Sequence, residues 1–553
     1  MYHQKKDFIS VTYEPKDADY PRQTKRNTSR RLDARGIRRK GIRMSQKIIY
    51  IHAGWENDAP IGVLYTDTVN EAEVISFKYF EKWLRDHPSL FLDPMIANIS
   101  YRNYPTDKLL FGAFEDTCPD RWGRQLIDRR ESYRAHTKNQ RPVKYTETGY
   151  MLEIQDQYRA GGFRFKTDPH GEFIGNDILP APPVSSIREL EQISLGYEKG
   201  TTDHWISQLV APGSSLGEAR PKANVADKNG NLWIAKFPSK HDQYDVGAWE
   251  KTVHDLAKQC QIQVPESQLM KYNDIGSTFL VKRFDRGRDL LGQITRIHFA
   301  SAMTMLGLRD GKTTGTGFLD LAEIVSQITH NPDHQLEQLF RRMIFDIAIS
   351  NEDDHLRNHG FLLQGDRWIL SPAYDINPVH NAEYLSMNID LDDGYRSFEK
   401  ALSTAAFYHL SEEKASCIVE QIATIVANSW DKLAGRYGLS EHERRNMSPA
   451  FELASEYSAN ITHKKVIPNP STNIMSQMEK RWEQYFALPK NERKGITWNG
   501  KRIRIAVFED IYIAKCQEAK IEPKKTIAEH FWQNCVAMQE YVPQYCDAQT
   551  KNR

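Results

Sequence analysis

One short stretch of the sequence combines an acid, an amide and a second acid in an order that suits metal-assisted chemistry on phosphates. In NEDDHLRN, Asp353 stands five residues before Asn358, and Asp375 follows after two apolar runs joined by Gln-Gly-Asp. Those two runs predict a hairpin, which would bring Asp375 back towards Asn358. Carboxylate and amide oxygens are the hard ligands that Mg²⁺ prefers, and a further carboxylate can accept a proton from an attacking hydroxyl.

The spacing D-x-x-x-x-N, followed by a hairpin and another Asp, is typical of protein kinases. It predicts Asp353 as the catalytic base, with Asn358 and Asp375 as the magnesium ligands. Two assignments stay open. The neighbouring Asp354 could replace Asp353 as the base, and His355 could either hold the loop by a hydrogen bond or line the phosphate site. The competing interpretation is that these acids are only helix caps or solvated turns.

An upstream lysine and an upstream loop could contact the phosphates of a nucleotide. In LWIAKFPS, Lys236 ends an apolar strand, and Glu250 on the following helix could hold its ammonium in place. A lysine in that position could equally be an exposed strand end. The loop PGSSLGEARPK (212–222) has small residues that let backbone N–H groups approach an anion. It matches neither of the glycine-rich patterns G-x-x-x-x-G-K-[ST] and G-x-G-x-x-G.

The composition excludes several classes of protein. The chain has 553 residues, of which 40% are apolar and 27% charged, and a net charge of +1. A net charge so close to zero predicts no overall attraction to nucleic acid or membrane. The six cysteines form no C-x-x-C pair, and no window reaches the ~18 consecutive apolar residues of a membrane span. These features favour a cytoplasmic protein with no membrane partner, rather than a zinc module or a disulfide scaffold.

Hydrophobic periodicity predicts the elements that must position these side chains. Apolar runs predict strands in NLWIAKF and STFLVKRF, and helical spacing of apolar residues predicts a helix over residues 245–260. The hairpin is FLL-QGD-RWIL. After residue 290 the pattern is mostly helical, and the predicted helices are ITRIHFASAMTML, LEQLFRRMIFDIAI and KASCIVEQIATIVANSW. A small β-rich lobe followed by a helical lobe describes a two-lobed nucleotide-dependent transferase.

The first 43 residues differ from the rest of the chain. Ten Lys or Arg and one acid, Asp33, lie between Arg22 and Arg43. Such a run is typical of a solvated, disordered tail and less often contacts nucleic acid. The predicted division is a basic tail (1–43), a β-rich N-terminal subdomain (44–180), an N-lobe with the phosphate loop (181–290), a helical catalytic C-lobe (291–464) and a C-terminal extension of unassigned role (465–553).

Several segments, taken in order, resemble the HipA family, the serine/threonine kinase toxins of bacterial toxin–antitoxin modules. FGAFEDTCPDRWGRQLIDRR (111–130) is similar to the family's N-terminal signature, an acid followed by Pro-Asp-x-Trp-Gly. The likeness covers residues 46–460. The segments similar to the kinase core are SSLGEARPKANV, LWIAKFPS, WEKTVHDLAKQCQIQVPESQL, FLVKRFDR and NEDDHLRNHGFLL…LSPAYDINP.

The resemblance implies an α+β, bilobal, protein-kinase-like fold with a β-rich N-terminal subdomain and a helical C-terminal lobe. It implies serine/threonine protein kinase activity with ATP and Mg²⁺, in which Asp353 is the base and Asn358 and Asp375 hold the metal. The loop Gly217–Lys222 would lie over the phosphates, and Lys282–Phe284 would form the adenine-binding strand. The implied ATP-binding residues are Gly217, Glu218, Ala219, Arg220, Pro221, Lys222, Lys236, Lys282, Arg283, Phe284, His355, Leu356, Arg357, Asn358, Tyr374 and Asp375.

The resemblance also implies regulation and partners. Family members can phosphorylate a serine in the phosphate loop, and counting seven residues back from Lys222 gives Ser215, with Ser214 as the alternative. The implied partners are a HipB-like DNA-binding antitoxin and a protein substrate, for which the family suggests an aminoacyl-tRNA synthetase. DNA would be contacted through the antitoxin, or weakly through the basic tail. Glu218 departs from the small residue common at its position, and its carboxylate would repel phosphates unless it faces solvent or Arg220 neutralises it.

Two other functions compete with a protein kinase. Glu218 and the long extensions favour a kinase-shaped binding partner that represses without turnover, with its basic tail on DNA. Antibiotic kinases share the same catalytic groups, so a small-molecule phosphotransferase is the third hypothesis. The Pro-Asp-x-Trp-Gly segment disfavours that last hypothesis.

Overall fold

The computed structural model describes most of the chain as strands, helices and connecting loops. The described residues are 45–69, 72–105, 110–175, 181–200, 220–380 and 382–461, together with short stretches between 479 and 530. The basic tail lies outside the described residues. So do Ser214, Ser215, Gly217, Glu218 and Ala219 of the phosphate loop.

The N-terminal part is built on a four-stranded antiparallel sheet with the order β3-β2-β1-β4. Apolar residues alternate along its strands, and one face, which includes Ile49, Ile51 and Leu64, is buried in the largest apolar cluster. The strands are β1 (Ser45–Ala53), β2 (Ala59–Val69), β3 (Ala72–Tyr79) and β4 (Phe163–Lys166). The helices are α1 (Glu81–Asp86), α2 (Gly112–Glu115), α3 (Arg121–Thr137) and α4 (Glu147–Glu153).

A second four-stranded antiparallel sheet follows, with the order β5-β6-β8-β7. Its strands are β5 (Lys222–Ala226), β6 (Leu232–Lys236), β7 (Ser267–Met270) and β8 (Thr278–Lys282). Helix α5 (Ile187–Glu198) precedes it, and α6 (Val246–Gln259) lies between β6 and β7. The two predicted strands and the helix predicted over residues 245–260 are confirmed.

The segment after this sheet contains the one predicted helix that is wrong. ITRIHFASAMTML forms β10 (Ile294–Arg296), β11 (Phe299–Ser301) and the single turn α7 (Ala302–Met305). β10 pairs with β9 (Arg286–Arg288), and β11 pairs with the predicted hairpin. The local pairing of β10 with β9 and the long-range pairing of β11 with β12 outweigh the helical spacing. The hairpin is confirmed as β12 (Gly360–Gln364) and β13 (Arg367–Leu370).

The remaining described elements are mainly helical, as predicted. The helices are α8 (Phe318–Ile328), α9 (Pro332–Ile349), α10 (Phe398–Ser403), α11 (Glu412–Arg436), α12 (Glu441–Met447) and α13 (Glu452–Ile461). A small ribbon of β14 (Ile496–Trp498) and β15 (Lys501–Ile503) lies beyond them. Within the described ranges, every helix is too short or too polar to cross a bilayer.

Two apolar clusters connect these elements. The larger joins the first sheet to α6, α9 and α11, so the N-terminal part and the helical part share one core. The smaller joins α3 and α5 to β5, β6 and β8, and it includes Trp122, Leu126 and Ala223. Helix α3 is therefore packed directly on the second sheet. This packing brings Asp120, the residue before α3, next to Lys222, the first residue of β5.

Candidate active site

Two lysines stand side by side at one end of the second sheet. Lys222 begins β5 and Lys236 ends β6, and the antiparallel register places them directly opposite each other. Directly opposed side chains project from the same face of a sheet. Lys222 is 1% exposed and Lys236 is 8% exposed. Because an unpaired buried charge is very costly, both ammonium groups need acidic partners.

Lys236 has two carboxylate partners from different parts of the chain. Its Nζ donates a hydrogen bond to Oε1 of Glu250 at 2.5 Å and another to Oδ1 of Asp375. Glu250 lies in the first turns of α6. Asp245 is the N-cap of this helix, and its side chain accepts a hydrogen bond from the N–H of Ala248. The predicted pairing of Lys236 with Glu250 is confirmed.

Asp375 reaches Lys236 because the hairpin folds the chain back. β12 and β13 are paired from Phe361 opposite Leu370 to Gln364 opposite Arg367, at the turn. Just beyond the hairpin, the Tyr374 hydroxyl donates to the main-chain carbonyl of Arg357 at 2.6 Å, which ties this segment to the loop before β12. Asp375 has a left-handed backbone conformation, with φ of +54°, which Asp tolerates better than most residues.

The loop between α9 and β12 holds the predicted base and the predicted amide ligand. Helix α9 ends at Ile349, because Ser350 has a left-handed backbone conformation. Asn358 is buried, and its Nδ2 donates to the main-chain carbonyl of Asp353 at 3.1 Å. Its Oδ1 is also buried and has no hydrogen-bond partner among the described residues. A buried oxygen without a partner is costly, so this atom is suited to bind a cation such as Mg²⁺.

The adjacent acids Asp353 and Asp354 face different surroundings. Asp353 is exposed, whereas Asp354 is buried, with its Oδ2 2.8 Å from Nε2 of His359. Asp354 also lies beside Asp346, where burial and the Asp354 carboxylate raise the pKa of Asp346 well above its ordinary value. Asp354 thus stabilises the loop from inside, and only Asp353 of the two is open to a substrate.

Charge pairing keeps Lys236 and Asp375 ionised. Burial disfavours the Lys236 ammonium, but the carboxylates of Asp375 and Glu250 outweigh that effect and raise the pKa of Lys236. Burial also acts against the Asp375 carboxylate, but Lys236 and Lys222 lower the pKa of Asp375 below its ordinary value. A carboxylate must be deprotonated to bind a metal ion, so Asp375 is in the state that this role requires.

A cleft lies beside these charges. Its charged end is formed by Lys236, Glu250 and Asp375. Most of its remaining wall is apolar or aromatic and consists of Ile234, Phe279, Val281, Phe284, Ala373, Tyr374 and Ile376. A largely apolar cleft with a few charged groups at one end suits a nucleotide, whose base and phosphates need opposite surroundings.

The predicted adenine-binding strand lines this cleft, although two of its side chains are held elsewhere. Lys282 Nζ contacts the Glu266 carboxylate at 2.6 Å, on the exposed side of the sheet. Arg283 is buried and donates to main-chain carbonyls of the N-terminal part. The ring of Phe284 lies 5.4 Å from that of Tyr374. Only Phe284 of the three therefore offers its side chain to a base.

Three other predicted nucleotide contacts have different partners. Arg220 donates two hydrogen bonds to the Asp242 carboxylate, at 2.9 and 2.6 Å. Leu356 is buried in the larger apolar cluster. Arg357 donates to Asp310 at 3.0 and 3.1 Å. In this state the structure does not bring these side chains to the cleft.

The last two predicted nucleotide contacts are Pro221 and His355. The main-chain carbonyl of Pro221 accepts a hydrogen bond from the N–H of Phe237, which joins the ends of β5 and β6. His355 is half-buried, and its Nδ1 has no hydrogen-bond partner among the described residues. After the larger effects of Lys236 and Lys222, His355 also contributes to lowering the pKa of Asp375.

One functional candidate, Asp120, was not predicted from the sequence. Its Oδ2 accepts a hydrogen bond from Lys222 Nζ at 2.7 Å, across 102 residues of sequence. No local spacing connects two residues so far apart. The Pro-Asp-x-Trp-Gly segment, which contains Asp120, is the sequence feature that could have indicated it.

Comparison with known proteins relates this region to a family. Residues 214–430 match the family model described as the HipA-like C-terminal domain. Two proteins of Sinorhizobium fredii, named "Putative kinase Y4dM" and "Putative kinase Y4mE", are 27% and 25% identical over 165 and 213 residues. The matches cover 27% and 37% of this chain, and 38% and 43% of those proteins. The chain thus spans about two-fifths of the length of these curated relatives.

A solved structure from Shewanella oneidensis has the same fold. It is the "Shewanella oneidensis MR-1 Toxin Antitoxin System HipA, HipB and its operator DNA complex", and the match has a TM-score of 0.53 at 17% sequence identity. It covers 76% of this chain and 100% of that chain. The α+β, bilobal, kinase-like fold that the resemblance implied is therefore confirmed. The family-model match over residues 214–430 includes the cleft and its charged end.

Proposed function

We propose that this chain is an ATP- and Mg²⁺-dependent kinase that transfers a phosphoryl group to a serine or threonine hydroxyl of a protein. The observation that supports this most strongly is the meeting of Lys236, Glu250 and Asp375 at the charged end of a largely apolar cleft. Protein kinases use a strand lysine, a helix glutamate and a metal-binding aspartate in this arrangement. The match to the HipA-like C-terminal domain supports the same function.

Each charged group has a role in such a transfer. Glu250 holds Lys236 so that its ammonium can bind phosphate oxygens, and Asn358 and Asp375 would hold the metal ion. Bound Mg²⁺ supplies positive charge that offsets the charge of the phosphates. Asp353 orients the attacking hydroxyl and accepts its proton. Because the protein contributes positioning and electrostatic stabilisation rather than covalent chemistry, the rigidity of these contacts is what matters.

The target and the antitoxin partner are the finer parts of the proposal. The Shewanella structure contains HipA, HipB and operator DNA as one toxin–antitoxin system. By likeness of fold, we extend this to a HipB-like DNA-binding antitoxin that holds the present chain. The family resemblance suggests an aminoacyl-tRNA synthetase as the target, and autophosphorylation at Ser215 or Ser214 as the means of silencing.

Incubation of the purified chain with γ-labelled ATP and Mg²⁺, with and without candidate protein substrates, tests the proposal. We expect labelled phosphoserine or phosphothreonine, and at least a ~100-fold lower rate for Asp353→Ala, because a general base is lost. Asp366→Ala is the matched control, since it removes an exposed carboxylate from the turn of the adjoining hairpin and should keep the activity.

Two results would contradict the proposal. Labelling by the wild-type chain that does not exceed labelling by Asp353→Ala would show that no transfer depends on the predicted base. Transfer to an antibiotic acceptor but to no protein would instead establish a small-molecule phosphotransferase.

A further inference from the structure

Lys222, the second lysine of the buried pair, has its acidic partner in the N-terminal part of the chain. Its Nζ donates to Asp120 at 2.7 Å, and the two side chains are 1% and 8% exposed. Lys236, directly opposite, is neutralised by Glu250 and Asp375. Asp120 supplies a negative charge beside two buried cations that face each other across the sheet, and like charges directly opposite each other are destabilising.

Asp120 is held in place by its other carboxylate oxygen. Oδ1 accepts a hydrogen bond from the N–H of Gly123 at 2.8 Å, which makes Asp120 the N-cap of α3. Helix α3 is in turn anchored by Leu126 and Ile127, which are buried in the smaller apolar cluster against the second sheet. The carboxylate that meets Lys222 therefore belongs to a rigid element.

Trp122 fixes the main chain of the same lysine. Its indole Nε1 donates to the carbonyl oxygen of Lys222 at 3.1 Å. The indole is buried in the smaller apolar cluster, together with Ala223 and Val225 of β5. Two side chains of the Pro-Asp-x-Trp-Gly segment, residues 119–123, thus converge on one residue and hold both its ammonium and its backbone.

Lys222 lies directly opposite Lys236, which forms part of the charged end of the cleft. It lowers the pKa of Asp375, and Asp375 adds to the burial that raises the pKa of Asp120. These are the effects of charges that lie close together. The position of Lys222 directly opposite Lys236 brings its ammonium close to the charged end of the cleft.

We propose that residues 119–123 are a positioning element for the phosphates of the nucleotide. Asp120 and Trp122 hold Lys222 so that its ammonium binds the phosphates together with that of Lys236. Asp120 is a positioning residue, because it acts through Lys222. This inference rests on the proposed function, and it explains why an N-terminal segment is bonded to the nucleotide cleft.

Titration calorimetry of the full chain with ATP and Mg²⁺ tests this inference without requiring turnover. Asp120→Asn removes the charge but keeps a side chain that caps helices as well as Asp does. Calorimetry should show about ten-fold weaker ATP binding by this variant. In a separate kinetic assay we expect a similar rise in the KM for ATP, with kcat changed by less than about three-fold. Lys222→Met should have a similar effect. The double variant should bind ATP no more weakly than either single variant, because each of the three variants removes the same interaction.

Glu147→Gln is the matched control. It breaks the ion pair of Glu147 with Arg124, a half-exposed residue of the same helix α3, and should leave ATP affinity unchanged. Wild-type ATP affinity in Asp120→Asn, with or without a lower melting temperature, would overturn the positioning role but not the kinase proposal. Losses of ATP affinity that add up in the double variant would also overturn the positioning role but not the kinase proposal. A wild-type chain that binds no ATP would overturn both.

Discussion

Two clusters of buried charges lie where strands β6 and β8 of the second sheet end, and they differ in the polar groups that adjoin them. Each cluster joins segments that are distant in sequence, and each combines acids with bases. The clusters are Lys236 with Glu250 and Asp375, and Asp285 with Arg283 and Arg286.

The Asp285 cluster is closed. Asp285 accepts hydrogen bonds from Arg283, from Arg286 and from the N–H of Gly161. The two guanidinium groups also donate to main-chain carbonyls of residues 157–161. In the part of the chain that the structure describes, none of the three side chains has an unpaired buried polar atom. The cluster therefore ties the second sheet to the N-terminal part.

The Lys236 cluster is open. It forms one end of a cleft, and the adjoining loop contributes the Asn358 oxygen, which is unpaired among the described residues. Buried charge alone therefore does not mark a functional site in this protein. Arg283 and Asp285 also line this cleft, so what separates the two clusters is the buried Asn358 oxygen without a partner, on the loop that Tyr374 ties to the segment of Asp375.

The largest expected effect comes from removing the carboxylate of the open cluster. Asp375→Asn should lower the phosphotransfer rate by about 10³-fold, because a metal ligand next to the phosphates loses its charge. The fold should persist, since Glu250 still pairs with Lys236. Rates with labelled ATP and a thermal melt measure the two effects. Activity within ten-fold of the wild type would remove Asp375 from the site.

Removing the acid of the closed cluster should lower stability rather than nucleotide binding. Asp285→Asn leaves two buried guanidinium groups without their acid, and we expect the free energy of unfolding to fall by about 3–5 kcal/mol. At temperatures where the variant is still folded, ATP binding should be retained. Urea unfolding measures the first effect and calorimetry the second. A fully stable variant that no longer binds ATP would reverse the roles of the two clusters.

The closed cluster should also make stability depend on pH. Burial disfavours the Asp285 carboxylate, but Arg283 and Arg286 lower the pKa of Asp285 below its ordinary value. Its contribution is therefore complete above the unfolded-state pKa of about 4 and is lost as the pH falls towards the folded-state pKa. Below about pH 4 the wild type should lose stability more steeply than Asp285→Asn, as urea unfolding at several pH values would show. Parallel curves would contradict this.

A smaller contrast is expected between Asp353 and Asp354, in the loop between α9 and β12. Asp354→Ala removes the partner of the buried His359 and should destabilise the protein by about 1–3 kcal/mol. Asp353→Ala changes an exposed residue and should leave the melting temperature almost unchanged while lowering kcat. Thermal melts and kinetics on both variants test this difference. Loss of kcat in Asp354→Ala at unchanged stability would favour Asp354 as the base.

Local elements around the site could be predicted from the sequence. Helix α6 was expected over residues 245–260 and spans Val246–Gln259, because apolar residues at helical spacing follow a capping Asp245. The hairpin was expected from its apolar runs and turn, and is present. The segment from Ile294 to Leu306 was mispredicted because the hydrogen bonds of β11 go to the distant strand β12. A local pattern contains no information on such pairing.

Contacts between distant segments could not be predicted in the same way. The pairing of Lys236 with Glu250 could be expected, because a strand followed by a helix brings residues 14 positions apart together. The pairing of Asp120 with Lys222 could not, because it depends on how α3 packs on the second sheet. The bonds that join the closed cluster to residues 157–161 could not be predicted either, because they connect segments 124 or 125 residues apart.

The most direct test of the central claim is a crystal structure of the chain with a non-hydrolysable ATP analogue and Mg²⁺. We predict the base in the apolar part of the cleft and the cation about 2.1 Å from Asn358 Oδ1 and from a carboxylate oxygen of Asp375. The ammonium groups of Lys222 and Lys236 should contact the phosphates. A nucleotide bound elsewhere, or a cation that touches neither Asn358 nor Asp375, would contradict the account.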